Sequence, residues 1–163
     1  MLTKIISGGQ IGADQGALEA AKLMGFPTGG MMPKGWITQD EPRPDFEQLY
    51  NMVEAPVKGY PYRTYDNVKS SDGTIRFAVD FTTAGEVCTL KAILQYDKPK
   101  LNISVRRDEI LEPTDSSVKY VLNWIKENNI SILNIAGNSN KSYDLMQIKV
   151  KNFILALIKE MSK

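Results

Sequence analysis

The sequence predicts an α/β fold in three layers, a mainly parallel sheet with helices on both faces, formed as one domain over residues 1–163. Three observations predict it. Short apolar runs that end at glycine or a polar turn alternate with longer stretches of helical periodicity, in the order β-α-(loop)-β-α-β-α-β-α. Such alternation joins parallel strands through right-handed crossovers. The chain has 163 residues, 42% apolar and 24% charged, which suits one globular domain with a full core.

Each element has its own signal. Lys4 to Ser7 is a short apolar run that stops at glycine and reads as a strand. Ala13 to Met24 follows with strong helix formers, and Leu18, Ala21 and Met24 share a face. Gly25 and then Pro27 end it. Residues 27 to 61 hold six of the eight prolines and predict loop, with one short strand near Gly30 to Met32. Tyr62 to Ser70 suits a short helix. Asp72-Gly73 reads as a tight turn into a strand over 74–79, where Ile75, Phe77 and Val79 alternate with Arg76 and Ala78. Val87, Leu90 and Leu94 are spaced for a helix over 85–97. Leu101, Ile103 and Val105 alternate with Asn102 and Ser104 as a strand. Pro113 and Thr114 open a helix marked by Val118, Val121, Leu122 and Ile125. Residues 131–136 form a strand that ends at Gly137, and Val150, Phe153, Ile154, Leu157, Ile158 and Met161 stripe a C-terminal helix.

Composition narrows the chemistry. The formal net charge is +1, so no global field calls for nucleic acid or a membrane surface. The single cysteine, Cys88, permits no internal disulfide and fits a reducing compartment. The absence of histidine removes Ser/His and Cys/His catalysis and most zinc and iron sites. "MLTKIIS" contains no long apolar run, so neither a signal peptide nor a membrane span is expected, and the expected location is the cytoplasm.

Ligands of open parallel sheets sit at the carboxyl ends of the strands. That rule selects three loops for one edge, Gly8 to Asp14, Thr82 to Glu86, and Gly137 to Asn140. Asp72-Gly73 falls at the opposite edge and reads as structural. Gly8-Gly9-Gln10-Ile11-Gly12 runs into a helix, so its N–H groups, with that of Ala13, form a candidate anion cradle. It is neither the dinucleotide fingerprint nor a P-loop. Asp14, in the first helical turn, reads equally as a helix-dipole acid and as a carboxylate for a ribose hydroxyl or a pterin-like N–H edge. Thr82-Thr83-Ala84-Gly85 is a second candidate cradle, with Glu86 expected to repel an anion. Lys34 stands in a proline-rich loop as a mobile cation, and Arg63 starts a helix with a fork suited to phosphate. Cys88 reads as an inert thiol. Asn138, Ser139 and Asn140 suit a ligand's polar edge or a plain turn.

Taken together, "SGGQIGADQGALEAA", "GGMMPKG", "YRTYDNVKSSDGTI", "TTAGEVCT", "KPKLNI" and "ILNIAG" resemble the molybdenum cofactor carrier proteins, a circularly permuted branch of the SLOG group of nucleotide-binding domains. The resemblance implies a Rossmann-like fold and a homodimer or homotetramer. It implies that a small anionic ligand, a pterin phosphate or nucleotide, binds at the glycine loops, with molybdenum cofactor (molybdopterin) as the cargo. It carries the first loop onto Gly8, Gly9, Gln10, Gly12, Ala13 and Asp14, and the lysine loop onto Lys34 and Gly35. The arginine-threonine step falls on Arg63 and Thr64, and the second motif on Thr83, Ala84, Gly85 and Thr89. Gly137 and Asn138 complete the candidate site. The chain departs from the family pattern at Ile11, Gln15, Ala84 and Glu86.

Two other functions compete with a carrier that breaks no bond. Related SLOG enzymes hydrolyse the glycosidic bond of nucleoside monophosphates with a glutamate in their second glycine motif. Here that motif has Thr89 and no glutamate beyond Glu86, so the expectation is no enzyme. A nucleotide-sensing domain that signals to a separate partner is the third reading.

Overall fold

A computed structural model describes residues 1–163. Thirteen elements follow in order: β1 (Lys4–Ser7), α1 (Ala13–Leu23), β2 (Thr28–Gly29), β3 (Met31–Met32), α2 (Phe46–Tyr50), β4 (Val53–Glu54), α3 (Tyr60–Lys69), β5 (Gly73–Ala78), α4 (Ala84–Gln95), β6 (Lys100–Ser104), α5 (Asp115–Glu127), β7 (Ile132–Gly137) and α6 (Met146–Met161). The main sheet has the order β2-β1-β7-β5-β6 and every pairing in it is parallel. It is the α/β fold expected.

The centre of the sheet is its driest part. Ile5, Ile75, Leu133 and Ile135 have no exposed surface. Each such side chain contributes roughly 1.5–3 kcal/mol of transfer free energy relative to exposure. The apolar stripe of α6, from Val150 through Ile158, and that of α5, from Val118 through Ile125, join the same core. Helix α1 lies close on α6 because its contact face is small. Ala13, Ala17, Ala20 and Ala21 are buried, and a side chain on Gly16 would run into the backbone carbonyl of Gln147. Thr114 caps α5 by accepting a hydrogen bond from the Ser117 N–H at 3.2 Å.

The proline-rich stretch carries more structure than its composition suggests. β2 pairs with β1 as the edge of the main sheet, and β3 pairs with β4 in a separate two-stranded sheet. Helix α2 closes a small second core of Leu18, Met32, Phe46, Tyr50 and Met52. Asn67 of α3 pins this region by exchanging hydrogen bonds with both main-chain groups of Met31, at 2.8 and 3.1 Å. At the amino edge of the sheet, Asp72 accepts from the N–H groups of Ser131 and Ile132 at 3.0 and 2.7 Å, which is the structural role expected of that turn.

The strand over 73–78 differs from its sequence reading. All six of its residues are buried, Arg76 among them. Alternation suggested a polar face there, but both faces of a central parallel strand are covered by helices.

Candidate functional site at the carboxyl edge

The chain leaves β1, β5 and β7 at the same edge, and the three loops meet around a cavity of about 440 Å³. Nine of the fourteen residues selected from the sequence line it: Gln10, Asp14, Arg63, Thr83, Ala84, Gly85, Thr89, Gly137 and Asn138. Gly8, Gly9, Gly12, Ala13 and Lys34 do not.

The glycines of the first loop are explained by packing. A side chain on Gly8 would occupy the place of the Arg63 guanidinium and sit 2.9 Å from Asp14 Oδ2. Gly12 has φ +112°, and a Cβ there would lie 2.6 Å from the Asn138 carbonyl oxygen. Three N–H groups of this loop are committed inside the chain. Gln10 N–H donates to Asp14 Oδ2 at 3.2 Å, Gly12 N–H to Gln147 Oε1 at 3.2 Å, and Ala13 N–H to the Asn138 carbonyl at 3.1 Å. Of the cradle expected over Gly9 to Ala13, the N–H groups of Gly9 and Ile11 keep no acceptor in the chain, and Ile11 lines the cavity. Gly8, Gly9, Gly12 and Ala13 shape the floor, because α1 closes directly onto the loop after β7.

The second loop presents its free donors in one run. Thr83 stands at the N-cap of α4 without a side-chain cap, and the N–H groups of Ala84, Gly85 and Glu86 have no acceptor in the chain. They line the cavity at the positive end of a twelve-residue helix. A Cβ on Gly85 would meet nothing within 4 Å.

Arg63 is the opposing cation. Its guanidinium stacks over Tyr60 at 5.6 Å from the ring centroid and stands 3.8 Å from Asp14 Oδ2, beyond hydrogen-bonding range. The side chain is 14% exposed and its buried Nε has no partner. Gln10 donates to the Ile37 carbonyl at 2.9 Å, while its buried Oε1 accepts nothing. Asn138 lines the cavity but is already in use. Its Oδ1 accepts from Val79 and Asp80 N–H at 2.8 and 3.0 Å, and its Nδ2 donates to the Asp80 carbonyl at 3.0 Å. Thr89 donates back to the Gly85 carbonyl at 3.0 Å. Lys34 is exposed, away from the lining.

Sequence reasoning missed the role of Arg76 and misread that of Glu86. The two form a buried ion pair, each 2% exposed, with Arg76 Nε donating to Glu86 Oε2 at 3.0 Å. Arg76 also donates from Nη2 to the Glu86 carbonyl at 3.0 Å and from Nη1 to Asn102 Oδ1 at 3.2 Å. A lone arginine in an apolar strand, ten residues before an acid in a helical first turn, was the available signal. Burial pushes the Glu86 carboxyl up to about 7, against the pull of Arg76 and with help from the charge of Asp14. Burial also raises Asp14 above its ordinary value, opposed chiefly by Arg63. The ionised form that a helix dipole alone would favour at Asp14 is thus disfavoured by its burial. No three His, Cys, Asp or Glu side chains converge where they could hold a metal ion.

Residues 5–158 match the circularly permutated YpsA SLOG family. The chain is also similar to a solved structure, the crystal structure of the "Putative molybdenum carrier protein" from Syntrophus aciditrophicus SB. The identity is 32% and the TM-score 0.85, over 96% of this chain and 95% of that one. No curated protein matches.

Proposed function

The chain belongs to the circularly permuted YpsA SLOG family, and on that premise we propose that it binds and carries a small phosphorylated ligand, of pterin or nucleotide type, in the cavity at the carboxyl edge. One observation carries this reading. The Arg63 guanidinium makes no hydrogen bond within the chain, and across the same cavity the first N–H groups of α4 have no acceptor. Unsatisfied donors of this kind cost free energy until an acceptor arrives, and a phosphate supplies several. Two acceptors complement them: Gln10 Oε1 and the free Oε1 of Glu86 suit the N–H or hydroxyl edge of the rest of the ligand. The name of the similar solved structure supports molybdenum cofactor as the cargo. With one cysteine and no histidine, the residues fit the phosphate and pterin ends of that cargo better than direct ligation of its metal. Native mass spectrometry of the protein as purified tests this. A retained phosphorylated pterin or nucleotide, lost in Arg63→Met, is expected. An empty protein that takes up neither class on titration would refute the reading.

A second reading rests on Glu86. A cavity-lining carboxyl with a proton affinity near neutrality is a general acid or base in waiting, as nucleotide hydrolysis would need. Against it, Arg76 holds one oxygen of that carboxyl on the core side. Binding without turnover remains our proposal, in a protein that assembles as a homodimer or homotetramer and works in the cytoplasm.

A further inference from the structure

Helix α3 begins at the cavity, and its first turn sets an aromatic ring beside the free cation. Gly59, at φ +93°, turns the chain into the helix, and Pro61 fixes the first turn. Residues three and four apart share a helix face, so Tyr60, Arg63 and Thr64 all line the cavity while Tyr62 does not. The Arg63 guanidinium covers one face of the Tyr60 ring, 5.6 Å from its centroid. The ring has no other packing duty. Tyr60 is 42% exposed, belongs to none of the three apolar cores and pairs with no other aromatic ring. It is also the single aromatic side chain in the cavity lining. A planar heterocycle laid on such a ring buries apolar surface on both partners and gains the offset-stacking attraction of two π-systems.

We propose that Tyr60 is the platform on which the ligand's aromatic ring stacks. The cavity then prefers one planar heterocycle, joined to its phosphate through one sugar or a linker of that length, over a sugar phosphate or a bare anion. The inference rests on the anion reading given above and adds to it the residue that recognises the ring. The spacing suits this ligand. With Arg63 on one face of Tyr60, a heterocycle offset-stacked on the other face has its centroid about 10 Å from the guanidinium carbon. A phosphate hydrogen-bonded to that fork takes up part of this distance, and one sugar takes up the rest. A dinucleotide would leave its second heterocycle without an aromatic partner, since the lining offers one ring. Stacking reads a π-face and no pattern of donors, so purines, pyrimidines and pterins all satisfy Tyr60. Telling them apart falls to the polar groups of the lining, Gln10 and Glu86 among them. Tyr62 supplies an internal control, because it is 45% exposed on the same helix yet stands outside the lining.

The test compares guanosine 5′-monophosphate, whose heterocycle carries the amino and oxo groups of a pterin, with ribose 5-phosphate, which lacks the heterocycle. Dissociation constants are read from the amide NMR shifts of Ala84 and Gly85 in the full chain. The wild type should bind the nucleotide at least about five-fold more tightly than the sugar phosphate. Tyr60→Leu should erase that margin and leave ribose 5-phosphate within about two-fold of its wild-type value, whereas Tyr60→Phe and Tyr62→Leu should keep the margin. Equal wild-type affinities, or a margin that survives Tyr60→Leu, would overturn the inference while ribose 5-phosphate binding upholds the anion reading. A parallel loss of both probes in Tyr60→Leu would also overturn it and make Tyr60 a support for Arg63. If neither probe shifts the α4 amides, the anion reading of the cavity itself fails and this inference with it. Should Tyr60→Leu fail to fold, the ring protons of Tyr60 in the wild type decide. An upfield shift with guanosine 5′-monophosphate and none with ribose 5-phosphate is expected, and its absence refutes the stack.

Discussion

Replacing Arg76 by methionine should destabilise the protein more in alkali than in acid. Arg76 is 2% exposed and makes three hydrogen bonds, two of them to Glu86. Removing one partner of a buried ion pair costs on the order of 3–5 kcal/mol, because the other charge is left uncompensated. Glu86 can escape that penalty by taking a proton. Its folded-state affinity is raised to about 7, so its stabilising contribution is full below its unfolded value and is lost as pH rises through the folded one. Removing Arg76 removes the largest influence holding that value down, so in the variant the loss continues above pH 7. From about pH 6 to about pH 8.5 the destabilisation should therefore grow by about 2 kcal/mol, at 1.4 kcal/mol per unit. Urea unfolding of both proteins at the two pH values reads it directly as a widening difference in midpoint. The double variant Arg76→Met/Glu86→Gln should recover most of the alkaline loss. An equal loss at both pH values, or a double variant no better than the single one, would refute the account of Glu86 as a buried acid poised near neutrality.

Three further outcomes follow from the same geometry. Arg63→Met should leave thermal stability within about 1 kcal/mol, since the guanidinium makes no hydrogen bond in the chain, yet weaken a nucleotide or pterin phosphate by at least about ten-fold in calorimetric titration. Gly12→Ala should cost about 1–3 kcal/mol in urea unfolding, given its φ of +112° and the Asn138 carbonyl in its way, whereas Gly85→Ala, with open space around it, should be neutral or stabilising by up to about 1 kcal/mol. Incubation with purine and pyrimidine monophosphates should release no free base by chromatography; steady release that disappears in Glu86→Gln or Asp14→Ala would make the protein a hydrolase.

The fold was legible because each long element announces its period. The stripe on α6 and the alternation around Ile75 and Leu101 needed no tertiary knowledge. The segment 27–61 hid β2, β4 and α2, because two-residue strands and a five-residue helix are too short for periodicity to register. Of the site, the choice of edge and of most lining residues came from one topological rule. What the sequence concealed was which polar groups were already spent. Gly12 N–H is taken by Gln147 and Asn138 by Asp80, contacts between residues far apart in the chain. A run of glycines reads alike whether its N–H groups face a ligand or its missing side chains admit a neighbour.

That distinction is why the proposed anion is set on the second loop and not on the first alone. At the start of α1 the helix dipole points at a loop in which the Gln10, Gly12 and Ala13 donors are occupied and whose acid, Asp14, accepts the Gln10 N–H. At the start of α4 the dipole is equally positive, the first donors are free, and the acid has been turned inward onto Arg76.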